Sequence, residues 1–84
     1  MSNSKAYDPL SLGEFRVRTA FNPSASGYVD QIKQKGAELI NLINNAAANP
    51  DWDEFKIKEW LRLKAMAMTE IEHGVSDGVK AATI

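Results

Sequence analysis

The sequence predicts an all-α protein, an antiparallel two-helix hairpin with an N-terminal arm, assembled as a homo-oligomer. Three observations lead there. Apolar residues from Val29 to Ala47 recur in steps of three and four, and a second stripe of the same period runs from Ile57 to Ala82. The third observation is the length, 84 residues. A chain of that size buries only about 60–65% of its surface on folding, and it holds no cysteine to staple it. A two-helix hairpin covers one face of each stripe and leaves apolar surface that water penalises at about 25 cal/mol per Å². Self-association is the usual remedy. Residues 1–21 then form the arm and residues 22–84 the helical-hairpin domain.

In the arm, Asp8-Pro9 and Leu12-Gly13 mark turns. Phe15, Val17, Thr19 and Phe21 alternate with Arg16, Arg18 and Ala20, a period-two pattern that suggests an extended stretch with one apolar face. The stretch is short and has no partner strand in the sequence, so it packs on the helices either as a strand or as a short helix.

Asn22-Pro23-Ser24 suits the start of the first long helix, since Asn or Ser caps and proline fits a first turn. Val29, Ile32, Gly36, Leu39, Ile40, Ile43 and Ala47 then lie on one stripe. The stripe is close to a heptad seam, which implies lengthwise packing on another helix. Asn49-Pro50-Asp51 ends that helix. Asp51 and Glu54 have the spacing of a capping box for the next one. Its stripe is Ile57, Leu61, Met68, Ile71, Val75, Val79 and Ala82, thickened at the start by Trp52, Phe55 and Trp60. Gly74 and Gly78, one turn apart, each cost about 1 kcal/mol relative to alanine in a helix. They mark a bend, a close approach between helices or a plain local weakness.

Catalysis by a familiar nucleophile is hard to assemble: Ser, Asp and a lone His exist, but nothing in the sequence places them together. Without cysteine there is no disulfide or thiolate zinc site, and the chain fits a cytosolic compartment. His73 is the single histidine, too few for an imidazole metal cluster or a His-based relay, and it reads as a surface or interface residue. Asp51, Asp53 and Glu54 complement a helix dipole more simply than they hold a metal. No glycine-rich phosphate loop is present. The expectation is a binder, neither an enzyme nor a cofactor protein. No apolar run approaches the roughly 20 residues of a membrane span, and the polar Met1–Leu10 start, which includes Asp8, argues against a signal peptide.

Charge is balanced overall at −1 but unevenly placed. Met1–Lys35 carries five cations against three carboxylates, and Gly36 onward carries five against eight. Such a chain lacks the basic field of a general DNA binder. Within the basic part, Arg16, Arg18, Lys33 and Lys35 lie near Phe15, Phe21 and Tyr28. Guanidinium and ammonium groups bind phosphate and aromatic faces stack on bases, so the set suits a nucleotide. It equally suits an arm packed on a hairpin.

Phe21-Asn22-Pro23-Ser24, followed by Val29-Asp30-Gln31-Ile32-Lys33, resembles the opening of a family of small bacteriophage proteins, the anti-CBASS cyclic-oligonucleotide sponges. Arg62-Leu63, Ala67-Met68-Thr69 and Val79-Lys80-Ala81-Ala82-Thr83 are similar to that family's C-terminal helix. The match covers about Phe21 to Thr83, while Glu72–Gly78 departs from the Ala- and aromatic-rich pattern of the family. The resemblance implies a helical-hairpin protein in the host-cell cytoplasm that sequesters cyclic di- and trinucleotide messengers of bacterial CBASS defence without cleaving them. It implies a homo-oligomer, a hexamer, with one pocket type for cyclic dinucleotides such as 3′,3′-cyclic GMP-AMP and another for cyclic trinucleotides such as cyclic tri-AMP. Lys33 matches the lysine expected on a phosphate of the dinucleotide. An arm aromatic is expected on a base, and Tyr7, Phe15 and Phe21 are the choices, with Arg16 and Arg18 supplying charge. Arg62 and Thr69 match the second pocket. The competing expectation is a helical-hairpin adaptor that meets a foreign helix, with no nucleotide ligand. A small nucleic-acid accessory protein is a third, disfavoured by the net charge.

Overall fold

The computed structural model describes residues 10–22 and 26–84, which fold into three helices with no strand among the described residues: α1 (Leu12–Val17), α2 (Gly27–Asn45) and α3 (Glu54–Ala82). The chain is all-α. Tyr7, the Asp8-Pro9 turn and the Pro23-Ser24 start lie outside the described residues. No helix among the described residues is long and apolar enough to cross a membrane.

The arm contributes a short helix rather than a strand. Ser11 caps α1 through a capping box: its hydroxyl accepts from the Glu14 N–H at 3.2 Å, and the Glu14 carboxylate accepts from the Ser11 N–H at 3.0 Å. Hydrogen bonding from Ser11, its backbone N–H first and its side chain second, holds the Glu14 carboxyl below its ordinary range. The helix ends at Arg18, whose φ of 58° is left-handed. The Thr19 N–H reaches the Glu14 carbonyl and the Arg18 N–H that of Phe15, the Schellman arrangement with arginine where glycine is usual. The period-two pattern is therefore not a one-faced strand: Val17 is buried, while Phe15 and Phe21 are exposed.

The cap of α2 is Ser26, whose hydroxyl accepts from the Tyr28 N–H. Asn22 does not cap from its own position; its amide donates to the Ser26 carbonyl and the Asp30 carboxylate. The buried line of α2 is Val29, Lys33, Gly36, Ala37 and Ile40. It is rotated from the expected stripe, with Leu39 outside and Lys33 inside. The helix stops at Asn45, where the Ala46 N–H bonds the Ile43 carbonyl, so Ala47 belongs to the connection.

The expected Asp51/Glu54 capping box is replaced two residues on. Asp53 caps α3 by accepting from the Lys56 N–H at 2.9 Å. Asp51 is taken by the preceding turn, where its N–H donates to the Asn49 side chain and the Trp52 N–H to the Asn49 carbonyl. Glu54 instead pairs with Lys58 across one turn.

Ala46 meets Lys64, Gly36 meets Val75 and Ile32 meets Gly78, so α2 and α3 touch in opposite sequence order. The core holds Val17, Ala37, Ile40 and Met68, flanked by Ile43, Ile71 and Val75. The close approaches are made by glycines other than those expected. A Cβ on Gly13 would collide with the Ala37 backbone carbonyl, and one on Gly36 with the Val75 side chain. A Cβ on Gly74 would meet open space, and one on Gly78 would lie 3.4 Å from the Ile32 side chain, without collision. The thinnest dimension is only 13 Å across Cα atoms, little more than the width of one helix with side chains. Apolar side chains therefore remain in solvent, Leu42, Phe55 and Leu61 among them.

Candidate functional site

A cleft of about 430 Å³ opens where the α1 turn faces the C-terminal half of α3, within the size range of small-molecule sites. Arg16, Arg18, Phe21, Lys33, Glu72, His73, Ser76 and Lys80 contribute to its walls. Four cations thus meet the single carboxylate of Glu72, in a chain whose net charge is −1. Four residues expected at a nucleotide site, Arg16, Arg18, Phe21 and Lys33, come together here.

Each cation is placed differently. Arg16 is held down: its Nε donates to the Glu72 carboxylate at 2.7 Å and its Nη2 to the Thr69 hydroxyl at 3.1 Å. Lys33 is buried at 6% exposure, not at the exposed flank of a helix seam. Its position one turn from Val29 and Ala37 puts it on the core line of α2, and its ammonium reaches the α1 turn. It donates to the carbonyls of Arg18 (3.0 Å) and Phe21 and lies 5.4 Å from the centroid of the Phe21 ring. That bond set pins the left-handed residue: on the Arg18 carbonyl the ammonium joins the Phe21 N–H, and it holds the Phe21 carbonyl as well. An ammonium has three donors, so one is left for the cleft. Arg18 and Lys80 line the cleft with side chains in none of the ion pairs among the described residues.

Thr69 and Arg62 stand two turns apart on α3 and have different partners. Thr69 lies beside Arg16. Arg62, two turns earlier on α3, is exposed and gripped by Glu59 through Nε at 2.9 Å and Nη2 at 2.6 Å, with Nη1 on the Met66 sulfur at 3.0 Å. The Glu59 hydrogen bond raises the Arg62 pKa, and that same bond lowers the Glu59 pKa. Lys35 faces solvent beside Glu38.

Sequence reasoning missed Ser76 and Lys80 and set His73 aside. Thr69, Glu72, His73, Ser76 and Lys80 are spaced by three, one, three and four residues, which puts them on one side of a helix. That spacing was the available signal; the arm covering it leaves no trace in the local sequence.

At the other end of the α2/α3 pair lies a shallower trough of about 540 Å³ lined by Ile43, Ala46, Trp52, Trp60, Leu63 and Ala67, with Lys56, Glu59 and Lys64 at its edge. Trp52 and Trp60 meet tilted, 6.3 Å apart, and the Lys64 ammonium sits 4.5 Å from the Trp60 ring. Among the described residues no cluster of His, Asp or Glu could hold a metal ion. Comparison with known proteins finds no matching family model, no matching curated protein and no matching solved structure.

Proposed function

We propose that the protein is a bacteriophage immune-evasion sponge that binds cyclic oligonucleotide messengers of bacterial CBASS defence in the host cytoplasm and releases them unchanged. The observation that carries this reading is the cleft in which four cations and the exposed Phe21 ring meet one carboxylate in a chain of net charge −1. Cations meet phosphate and an exposed ring stacks on a base. In this reading α2 and α3 form an antiparallel hairpin, and the apolar side chains left in solvent are covered by further copies in a homohexamer. The ligand is bound without chemistry, so no DNA, membrane, metal or cofactor enters. Tyr7 from the arm, together with Arg16, Arg18, Phe21 and Lys33, serves the dinucleotide, while Arg62 and Thr69 serve a trinucleotide elsewhere on the assembly.

Calorimetric titration with 3′,3′-cyclic GMP-AMP tests the reading, with heat of binding and recovery of intact nucleotide after denaturation as the expected result. Lys33→Ala should weaken that binding at least about tenfold, the scale of one lost charge-assisted bond. Arg62→Ala should spare it and weaken cyclic tri-AMP instead. No heat with either nucleotide, or linear products, would reject the sponge. The adaptor reading draws on a specific observation too, the trough between Trp52 and Trp60 with Phe55 83% exposed nearby. A monomer at micromolar concentration by light scattering, silent toward both nucleotides, would favour it.

A further inference from the structure

We infer that Arg18 and Lys80 form the phosphate-contacting pair of the cleft, one cation supplied from each end of the chain, with the Ser76 hydroxyl beside them. Both cations line the same cleft. Arg16 is committed to Glu72 and Thr69, and Lys33 directs two of its donors at carbonyls. Arg18 and Lys80 are different: neither side chain makes an ion pair among the described residues. Asp77 stands three residues before Lys80, a spacing that commonly pairs on a helix, yet it does not engage it. The Ser76 hydroxyl, one turn before Lys80, makes no hydrogen bond among the described residues and lines the same wall.

The backbone at Arg18 supports a positioned role. Its left-handed conformation costs about 1–2 kcal/mol for a residue with a Cβ, and glycine would relieve it. Arginine stands there nonetheless, with the turn held by the buried Lys33 ammonium. The two free cations are brought together by the docked arm: Arg18 follows α1 and Lys80 lies in the last turn of α3. A planar guanidinium and a compact ammonium lining one cleft can each bond a different oxygen of a phosphoryl group, which offers more acceptors than a carboxylate. For its physiological ligand the inference rests on the nucleotide reading; for its chemistry it does not, because inorganic pyrophosphate contains the same recognised group.

The test compares wild type, Arg18→Gly, Lys80→Ala and the control Lys35→Ala, titrated with inorganic pyrophosphate and separately with 3′,3′-cyclic GMP-AMP. Arg18→Gly suits the left-handed backbone and Lys80 is exposed, so both variants keep the fold, which circular dichroism checks. Pyrophosphate affinity should fall about tenfold in each cleft variant, as for a lost charge-assisted bond, and less than twofold in Lys35→Ala. Amide shifts in labelled wild type should concentrate at residues 18–21 and 73–80, a readout that needs no variant. Equal losses in all three variants, shifts spread over the surface, or no pyrophosphate binding by wild type would overturn the pair. Unchanged cyclic GMP-AMP affinity in Arg18→Gly and Lys80→Ala would overturn it while leaving the sponge intact. Localised pyrophosphate binding with no response to cyclic GMP-AMP would keep the pair and reject the sponge.

Discussion

The two ends of the α2/α3 pair are built on different physics. At the α1 end, three helices converge and the packing is close: Gly13 lies on the Ala37 carbonyl, Gly36 lies on Val75, and Asn41 ties the arm through the Gly13 N–H and the Ser11 hydroxyl. Arg16, Lys33 and Asn41 are fixed there by specific partners, while Arg18 and Lys80 make no ion pair among the described residues. At the turn end, Trp52 of the connection meets Trp60 of α3, a ring pair with a lysine above it. The first end fixes two of its four cations by directional bonds; the second presents apolar area with few of them. Recognition of a small charged ligand needs the first kind, and adhesion between protein surfaces suits the second.

Substitutions that separate the two ends sharpen that contrast. The largest effect is expected from Gly13→Ala, because the Ala37 backbone cannot yield as a side chain can. Urea denaturation should show a loss of about 2–3 kcal/mol, at the upper part of the range for overpacking, or else the arm should undock and release Arg16 from Glu72. A variant as stable as wild type would mean that α1 does not pack there. Next is Lys33→Met, which leaves the Arg18 and Phe21 carbonyls without their buried donor. It should cost about 1–3 kcal/mol, with the amide signals of residues 18–21 moving most.

Trp60→Ala removes the Trp52 contact and the Lys64 partner and should cost about 1–2 kcal/mol. Amide signals around the basic cleft should stay in place; their movement would show that the ends are coupled. The pH response is smaller still. The Glu14 carboxyl is lowered on folding, so its contribution is complete above the unfolded carboxylate range and disappears as pH falls through the lower folded value. Amide exchange at Ser11–Phe15 should quicken below about pH 4 before exchange in the middle of α2 does. Smallest is Arg62→Ala, an exposed i,i+3 pair with Glu59, which should leave the thermal midpoint unchanged because such pairs are screened and entropically costly.

Helix content was legible because it is written in local spacing, and both long stripes predicted helices where α2 and α3 lie. Cap positions were less so. Asn22, Asp51 and Glu54 all carry capping chemistry, and which acceptor wins depends on the turn outside the helix, as Asn49 shows by taking Asp51. The arm was ambiguous since six residues of helix carry too little period to exclude a strand. For the site, Arg16, Arg18, Phe21 and Lys33 were found from their proximity in the chain. Lys80 was not, because it stands isolated in an acidic stretch and joins the others only through tertiary packing. The inward turn of Lys33 was hidden too, since a lysine on an apolar line reads as a solvated charge until its carbonyl partners are placed.

The Arg16–Glu72 bond spans 56 positions of the chain, whereas the Lys64–Ala46 bond at the turn end spans 18. Closing the longer loop costs about 1 kcal/mol more in chain entropy, and contacts of greater sequence separation form more slowly. The turn end is therefore the natural place for folding to begin, and the basic cleft comes into being only when both extremities of the chain have met. A nascent or partly degraded chain carries the tryptophan pair without the cleft, so under the proposed reading anion capture marks the fully folded molecule and is the first property lost when the docked ends are trimmed.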